Sequence, residues 1–200
     1  MTMNLVKHYR DLLIKHGDSP EASQYSNRET QEKRFEILVQ IGDLEGKKIL
    51  DFGCGTGHLA TYLKKQGIKS IYTGVDIVEE LFQIARQKHP EHTFCRFSDI
   101  SNEKFDYVII SGVFNNKIDD NRSFYRNTIQ QCFSLSLKGL AFNMMSFYVD
   151  FFDPELFYEK PEVVFKFIKQ NISPYITIRN DYQIKDGVIP FEFATYVYKK

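Results

Sequence analysis

The 200-residue chain has no tryptophan and only three cysteines, Cys54, Cys95 and Cys132, which lie far apart and form no C-x-x-C pair. That spacing excludes a disulfide framework and a cysteine-built zinc site, and it fits a reducing compartment. Neither sign of charge is in excess, because 26 Lys and Arg balance 26 Asp and Glu. The basic surplus that holds a protein to the phosphates of a nucleic acid is therefore missing. No window reaches 18 consecutive apolar residues, which argues against a transmembrane helix, and Met1 to His8 contain no apolar stretch of signal-peptide length. These absences lead us to expect a cytoplasmic protein, monomeric or homodimeric, with no metal, membrane or nucleic-acid partner. What the chain has in quantity is aromatic bulk: 18 Phe and 12 Tyr can fill the core of a domain this size. The length predicts a single domain over 1–200.

From Lys47 to Ser146 short β-rich runs alternate with helical patterns, the signature of βαβ units and a mostly parallel sheet. Strands are predicted at Lys47–Phe52, Ser70–Asp76, His92–Ser98, Phe105–Ser111 and Lys138–Ser146. Phe105–Ile110 is almost continuously apolar, as expected of a strand covered on both faces, and is placed at the middle of the sheet. The last third differs: residues 176–178 and 191–197 alternate about a turn at Lys185-Asp186-Gly187, which predicts an antiparallel pair. A helix over Pro161–Gln170 leads to it. Upstream, Thr2–Lys15 and Arg28–Ile41 have helical patterns, and residues 1–41 are expected to form a helical cover on a core spanning 47–200.

The sharpest local signal is Asp51-Phe52-Gly53-Cys54-Gly55-Thr56-Gly57, where a strand runs into a glycine-rich turn and then a helix. Alternate glycines permit positive φ and remove Cβ atoms where backbone must approach a ligand, and the helix mouth offers unpaired N–H groups. Taken alone, Gly55-Thr56-Gly57-His58-Leu59-Ala60 with Asp76 downstream also fits the loose dinucleotide fingerprint, which would make the protein an NAD-dependent oxidoreductase. The acids decide between the two readings. Asp51 precedes the turn, Asp76 with Ile77 ends the second strand, and Asp99 with Ile100 follows the third. Three consecutive strand ends would thus line one pocket, with a carboxylate for a ribose diol and another for an adenine amine.

This pattern resembles motif I and the two following acidic positions of the class I S-adenosylmethionine-dependent methyltransferases. Phe105–Phe114 resembles that superfamily's fourth strand and the loop after it. The resemblance implies a Rossmann-like, doubly wound α/β sheet of seven strands in the order 3-2-1-4-5-7-6, with the last strand antiparallel. It also implies that Asp51, Gly53, Cys54, Gly55 and Gly57 cradle the methionine moiety, that Asp76 and Ile77 take the ribose, and that Asp99 and Ile100 take the adenine. Ser111, Gly112 and Phe114 would border the transfer site, S-adenosylhomocysteine would be the product, and Arg34 could pair with the methionine carboxylate. The (Asn/Asp)-Pro-Pro-aromatic motif of nucleic-acid amino-methyltransferases is absent, since Ser111-Gly112-Val113-Phe114 stands in its place. The implied reaction is therefore methylation of an oxygen or nitrogen on a small molecule, in the manner of enzymes of bacterial secondary or surface-glycan metabolism. His8, Tyr25, Asn115 and Asp150 are the candidate acid–base or positioning groups; none forms a recognisable pair, which also leaves room for a non-catalytic cofactor-binding protein. The acids Asp150, Asp153, Glu155, Glu159 and Glu162 make one segment negative, expected as a solvated face.

Overall fold

The computed structural model describes residues 4–200. Helix α1 covers Leu5–His16, with Asn4 accepting the Lys7 amide at 3.1 Å as its N-cap; Thr2 and Met3 of the predicted helix lie outside the described residues. The connector holds a short 3-10 turn at Pro20–Ser23. Helix α2, Arg28–Leu38, starts where Asn27 accepts the Thr30 amide at 2.9 Å and ends in a 3-10 turn over Val39–Ile41. The core follows as β1 (Lys48–Phe52), α3 (His58–Lys65), β2 (Ile71–Val75), α4 (Glu79–Lys88), β3 (Thr93–Cys95) and β4 (Phe105–Ile110), then α5 (Asn121–Leu135), β5 (Ser136–Ser146), β6 (Tyr158–Glu159), α6 (Pro161–Asn171), β7 (Ile176–Arg179) and β8 (Glu192–Tyr198).

The strands form one sheet in the order β3-β2-β1-β4-β5-β8-β7, and β6 adds a two-residue pairing to β5. Without that short strand this is the expected 3-2-1-4-5-7-6 order. β8 runs antiparallel to both β5 and β7, and β4 sits centrally between parallel partners β1 and β5. Side chains alternate across the sheet with period two. Ile49, Tyr72, Ile109 and Ala141 pack with Phe35 and Leu38 of α2, Leu59 and Leu63 of α3, and Phe82 of α4. Leu50, Val75, Ile110 and Phe142 face the other way, onto Tyr125 and Ile129 of α5 and Val164 and Ile168 of α6. The aromatic supply is spent here: Phe94, Phe105, Phe114, Phe142 and Phe193 are all essentially inaccessible, each contributing about 1.5–3 kcal/mol on burial.

Two local expectations are corrected. The third strand stops at Cys95, not Ser98, because the chain folds into a 3-10 turn over Phe97–Ile100. Asp99 holds that turn by accepting the Arg96 amide at 3.0 Å. Glu159 is not part of a solvated acidic face. It is only 1% exposed, and its carboxylate is gripped by the Arg122 guanidinium fork at 2.7 and 3.0 Å, with the Tyr125 hydroxyl at 3.3 Å. A buried carboxylate survives only with such partners, and this one ties α5 to β6.

Gly74, in the middle of β2, leaves room for two neighbours. A Cβ there would lie 2.8 Å from both Cys54 Sγ and the Phe94 ring. Gly74→Ala is expected to lower the unfolding free energy by about 1–3 kcal/mol through overpacking, measured as a shift of the urea midpoint at unchanged m.

Candidate cofactor cleft

The glycine turn after β1 is shaped by the end of β2. The Val75 carbonyl accepts both the Gly53 amide at 2.8 Å and the Cys54 amide at 3.0 Å, folding the turn back across the sheet. Gly53, Gly55 and Gly57 all have positive φ, at +81°, +53° and +76°. A Cβ on Gly53 would also collide with the Val113 side chain, so the turn and the loop after β4 meet only because that atom is missing.

Two acids stand at this junction. Asp51 is buried, with the Tyr72 hydroxyl donating to its Oδ2; burial pushes its pKa up to about 7 against the opposing pull of that hydrogen bond. Asp76 accepts the Gly55 amide at Oδ2 and the Val78 amide at Oδ1, both at 2.9 Å, and burial raises its pKa too, outweighing the backbone N–H groups that lower it. Burial flanked by these acids pushes the Cys54 thiol well up, so it packs as a neutral side chain and has no thiolate to offer. His58, at the start of α3, is lowered to about 4, first by burial and then by Arg28. Neutral at pH 7, its Nε2 lies 3.1 Å from Glu32.

Together these groups wall a cavity of about 330 Å³, within the range of small-ligand sites. Its floor is Asp51–Thr56, its sides are Asp76, Ile77, Leu81, Arg96 and Phe97, and Ser111–Val113 and Phe124 border one end. Leu5 and Tyr9 of α1, and Ser19, Ser23 and Tyr25 of the connector, cover it, with Arg28, Gln31 and Phe35 of α2 behind. The cover is tied down by Asp18, which accepts the Thr56 hydroxyl at 2.5 Å and pairs with Lys88 at 2.8 Å, and by Arg10 against Glu80 at 2.6 Å.

Of the residues singled out in the sequence, Asp51, Gly53, Cys54, Gly55, Asp76, Ile77, Ser111, Gly112 and Tyr25 line this cavity. Gly57 stands just behind, as the N-cap of α3. Others do not reach it. Arg34 faces away, its Nε bonded to Glu192 at 2.7 Å and its NH1 to the Thr30 carbonyl at 2.9 Å. Asp99 turns its carboxylate onto its own 3-10 turn, and Ile100 is buried against the α5 side of the sheet. Phe114 belongs to that same core, stacked edge-on against Phe142. Asp150 is exposed on the loop after β5. His8 and Asn115 stand near but outside the wall: among the described residues His8 Nε2 and Asn115 Oδ1 are buried without a hydrogen-bond partner. The places of Arg34, Asp99 and Phe114 on the wall are taken by Arg28, by Arg96 with Phe97, and by Val113. Tyr9 of α1, which the sequence offers beside His8, also lines the cavity, and its hydroxyl accepts from Asn116 Nδ2 at 2.8 Å. A lone Tyr on an amphipathic helix carries little sequence signal, and so does Arg28, the first residue of α2 after the Asn27 cap, which lines the cavity while its guanidinium donates to Gln31 Oε1 at 2.7 Å.

A sheet ordered β3-β2-β1-β4-β5-β8-β7 with β8 antiparallel, its glycine turn and acidic strand end sharing one cleft, has the architecture of the Rossmann-like methyltransferases. The methyltransferase-domain family model matches residues 43–171, well over half of the chain, and the chain belongs to that family, as an S-adenosylmethionine-dependent enzyme. A protein of Mycobacterium tuberculosis named as a methyltransferase is 27% identical over 149 residues, covering 70% of this chain and 90% of its own. The ubiquinone biosynthesis O-methyltransferase of Pasteurella multocida is 45% identical over 51 residues, 26% of this chain and 20% of that one. Among solved structures, the magnesium protoporphyrin IX methyltransferase of Synechocystis with bound S-adenosylhomocysteine superposes with a TM-score of 0.63 at 19% identity, covering 100% of this chain and 90% of that one. A chain of a Pnkp1/Rnl/Hen1 RNA repair complex gives 0.63 at 16% identity, covering 85% of this chain and 42% of that one.

The raised pKa of Asp51 has a thermodynamic sign. The folded carboxyl keeps its proton up to about pH 7, whereas the unfolded one releases it near the ordinary value of about 3.9. Its contribution to stability is therefore complete below the unfolded value and lost as pH rises through about 7. Asp51→Asn removes this term, so the ligand-free variant should melt above the wild type at pH 8, with the difference shrinking toward pH 5. His58 carries the opposite slope, but it is common to both proteins. Differential scanning calorimetry from pH 5 to 8 reads the difference directly; a constant gap would refute the assignment.

Proposed function

We propose that this methyltransferase moves a methyl group from S-adenosylmethionine to an oxygen or nitrogen of a small molecule bound under α1. The observation that carries this reading is the cover: the carboxyl ends of β1, β2 and β4 open into a cavity of small-ligand size over which α1 and the connector lie. The zero net charge supports it, since a nucleic-acid substrate calls for a basic surface. An RNA acceptor, suggested by the name of one structural neighbour, has no such support here.

The residues present suit the donor. The turn at Gly53–Gly55 is a cradle that a Cβ on Gly53 would spoil, and it lies beside two carboxylates that burial holds ready for partners. In this reading Asp51 meets the ammonium of the methionine moiety, whose positive charge would draw off the Asp51 proton, and Arg28 meets its carboxylate. Gly53, Cys54, Gly55 and Gly57 shape the backbone around it. Asp76 takes the ribose diol next to Ile77, and Phe97, Leu81 and Arg96 form the adenine end in place of Asp99 and Ile100. Ser111, Gly112, Val113 and Tyr25 border the acceptor.

S-adenosylmethionine supplies a methyl group already activated on a sulfonium, so alignment is the protein's main task, worth roughly 7–11 kcal/mol of barrier when complete. Tyr25 serves alignment. Burial raises its pKa, so its hydroxyl stays protonated and hydrogen-bonds an acceptor without deprotonating it. Among the described residues, Ser111, Gly112 and Val113 beside Tyr25 carry no base and His58 is engaged with Glu32, so acceptors that are nucleophilic at neutral pH, such as an amine or an acidic hydroxyl, suit the site better than an aliphatic alcohol.

Calorimetric titration should show binding of S-adenosylmethionine and S-adenosylhomocysteine but not of NADH. Arg28→Ala and Asp76→Ala should each weaken it by about ten- to a hundredfold, the value of a hydrogen bond to a charged group. Methyl-labelled donor incubated with fractionated cell extract should label low-molecular-weight material; label confined to RNA or protein would overturn the small-molecule reading.

A further inference from the structure

A circuit of polar contacts runs behind the acceptor end of the cleft, away from the donor's proposed partners. The Gly112 amide donates to Asn143 Oδ1 at 2.8 Å, and Asn143 Nδ2 donates to Glu192 Oε1 at 3.3 Å. Glu192 Oε2 accepts from Arg34 Nε at 2.7 Å, and the Arg34 guanidinium lies 5.2 Å from the centre of the Tyr25 ring. Tyr25 closes the circuit, its hydroxyl 3.2 Å from Ser111 Oγ and 3.4 Å from the Ser111 carbonyl. The orientation of Asn143 follows from its neighbours, since the Gly112 amide can only donate and the Glu192 carboxylate can only accept.

The circuit is buried and draws on distant parts of the chain. Asn143 and Glu192 are each 1% exposed, and the Arg34 side chain is 9% exposed. Tyr182 also donates to Glu192, at 3.3 Å. An ion pair this deep is a poor source of net stability compared with apolar packing, so its presence asks for another reason. Gly112 supplies one. Its φ is +72°, and a Cβ there would lie 2.7 Å from the Tyr25 hydroxyl. Tyr25 therefore rests directly on the Gly112 backbone, while Asn143 holds the amide of the same residue.

We infer that Arg34, Asn143 and Glu192 are positioning residues for the acceptor: through them the Tyr25 ring and the Ser111–Gly112 turn are held as one rigid wall. The inference rests on the reading of that wall as the acceptor border. Arg34, which lies off the cleft, acts on it through the face of Tyr25. Arg34→Lys keeps the charge but loses the planar group that stacks on the ring and the fork that spans Glu192 and Thr30.

The test uses the eleven glycines of the chain, labelled with nitrogen-15 in the full-length protein. S-adenosylhomocysteine should shift the Gly112 resonance, and in Asn143→Leu the Gly112 amide should exchange with solvent about tenfold faster, with the glycines of the β1 turn unchanged. Arg34→Lys, the milder change should the first variant fail to fold, should broaden Gly112 and the Tyr25 ring signals while S-adenosylhomocysteine affinity stays within about threefold. Once an acceptor is in hand, its KM should rise in Arg34→Lys while that of the donor does not. If Gly112 ignores S-adenosylhomocysteine, the placement of the wall is wrong. If Gly112 responds to the ligand but both variants leave its exchange and line width as in the wild type, or if all glycine amides accelerate together, the positioning role is refuted.

Discussion

The cleft depends on one backbone constraint, the folding of the β1 turn onto the end of β2. A single carbonyl, that of Val75, takes the amides of Gly53 and Cys54, and one residue further on the Asp76 carboxylate takes those of Gly55 and Val78. Four N–H groups that would otherwise need solvent are satisfied within a few ångströms. The arrangement requires parallel β1 and β2 in register, with Phe52 opposite Val75, so the sheet topology and the binding turn are one requirement. A slip of one residue would move Asp76 off the turn and turn every β2 side chain to the wrong face.

That requirement works against stability. Asp51 is buried and Asp76 half-buried where ionisation is penalised, and each is held by hydrogen bonds, from the Tyr72 hydroxyl and from backbone amides respectively. The cost is characteristic of a site organised for charge that arrives with a ligand. The large aromatic core compensates, filling both faces of the sheet so densely that even Gly74 has no spare volume.

The central position of Phe105–Ile110 and the glycine turn after β1 could be read from the chain because they rest on local periodicity and on glycines whose spacing has a steric cause, whereas the sheet order came with the family resemblance, since periodicity locates strands and not their neighbours. Errors came where a distant partner decides. Nothing near Arg34 in sequence announces Glu192, 158 residues away, so a helix arginine facing a glycine turn was an equally good carboxylate partner until the pairing was known. Asp99 illustrates a second cause: a short polar side chain can bond its own backbone two or three residues back, and this one does, ending β3 early and leaving Arg96 and Phe97 at the wall. Glu159 shows a third, an acid in an acidic run that a single arginine turned inward. The short β6 was invisible, since two residues have no period.

Asp18 bridges the connector to both the β1 turn, through Thr56, and α4, through Lys88. On the proposed reading, a molecule bound beneath α1 would pass these ties on its way out, so residence time and affinity would be set by different groups. The glycine turn and its acids would fix how favourable occupancy is, whereas Asp18 and Arg10 would govern how often the cleft exchanges its contents. Donor and spent product would then pass the same barrier, and a chain with loosened ties would trade its contents faster in both directions at nearly the same equilibrium constant.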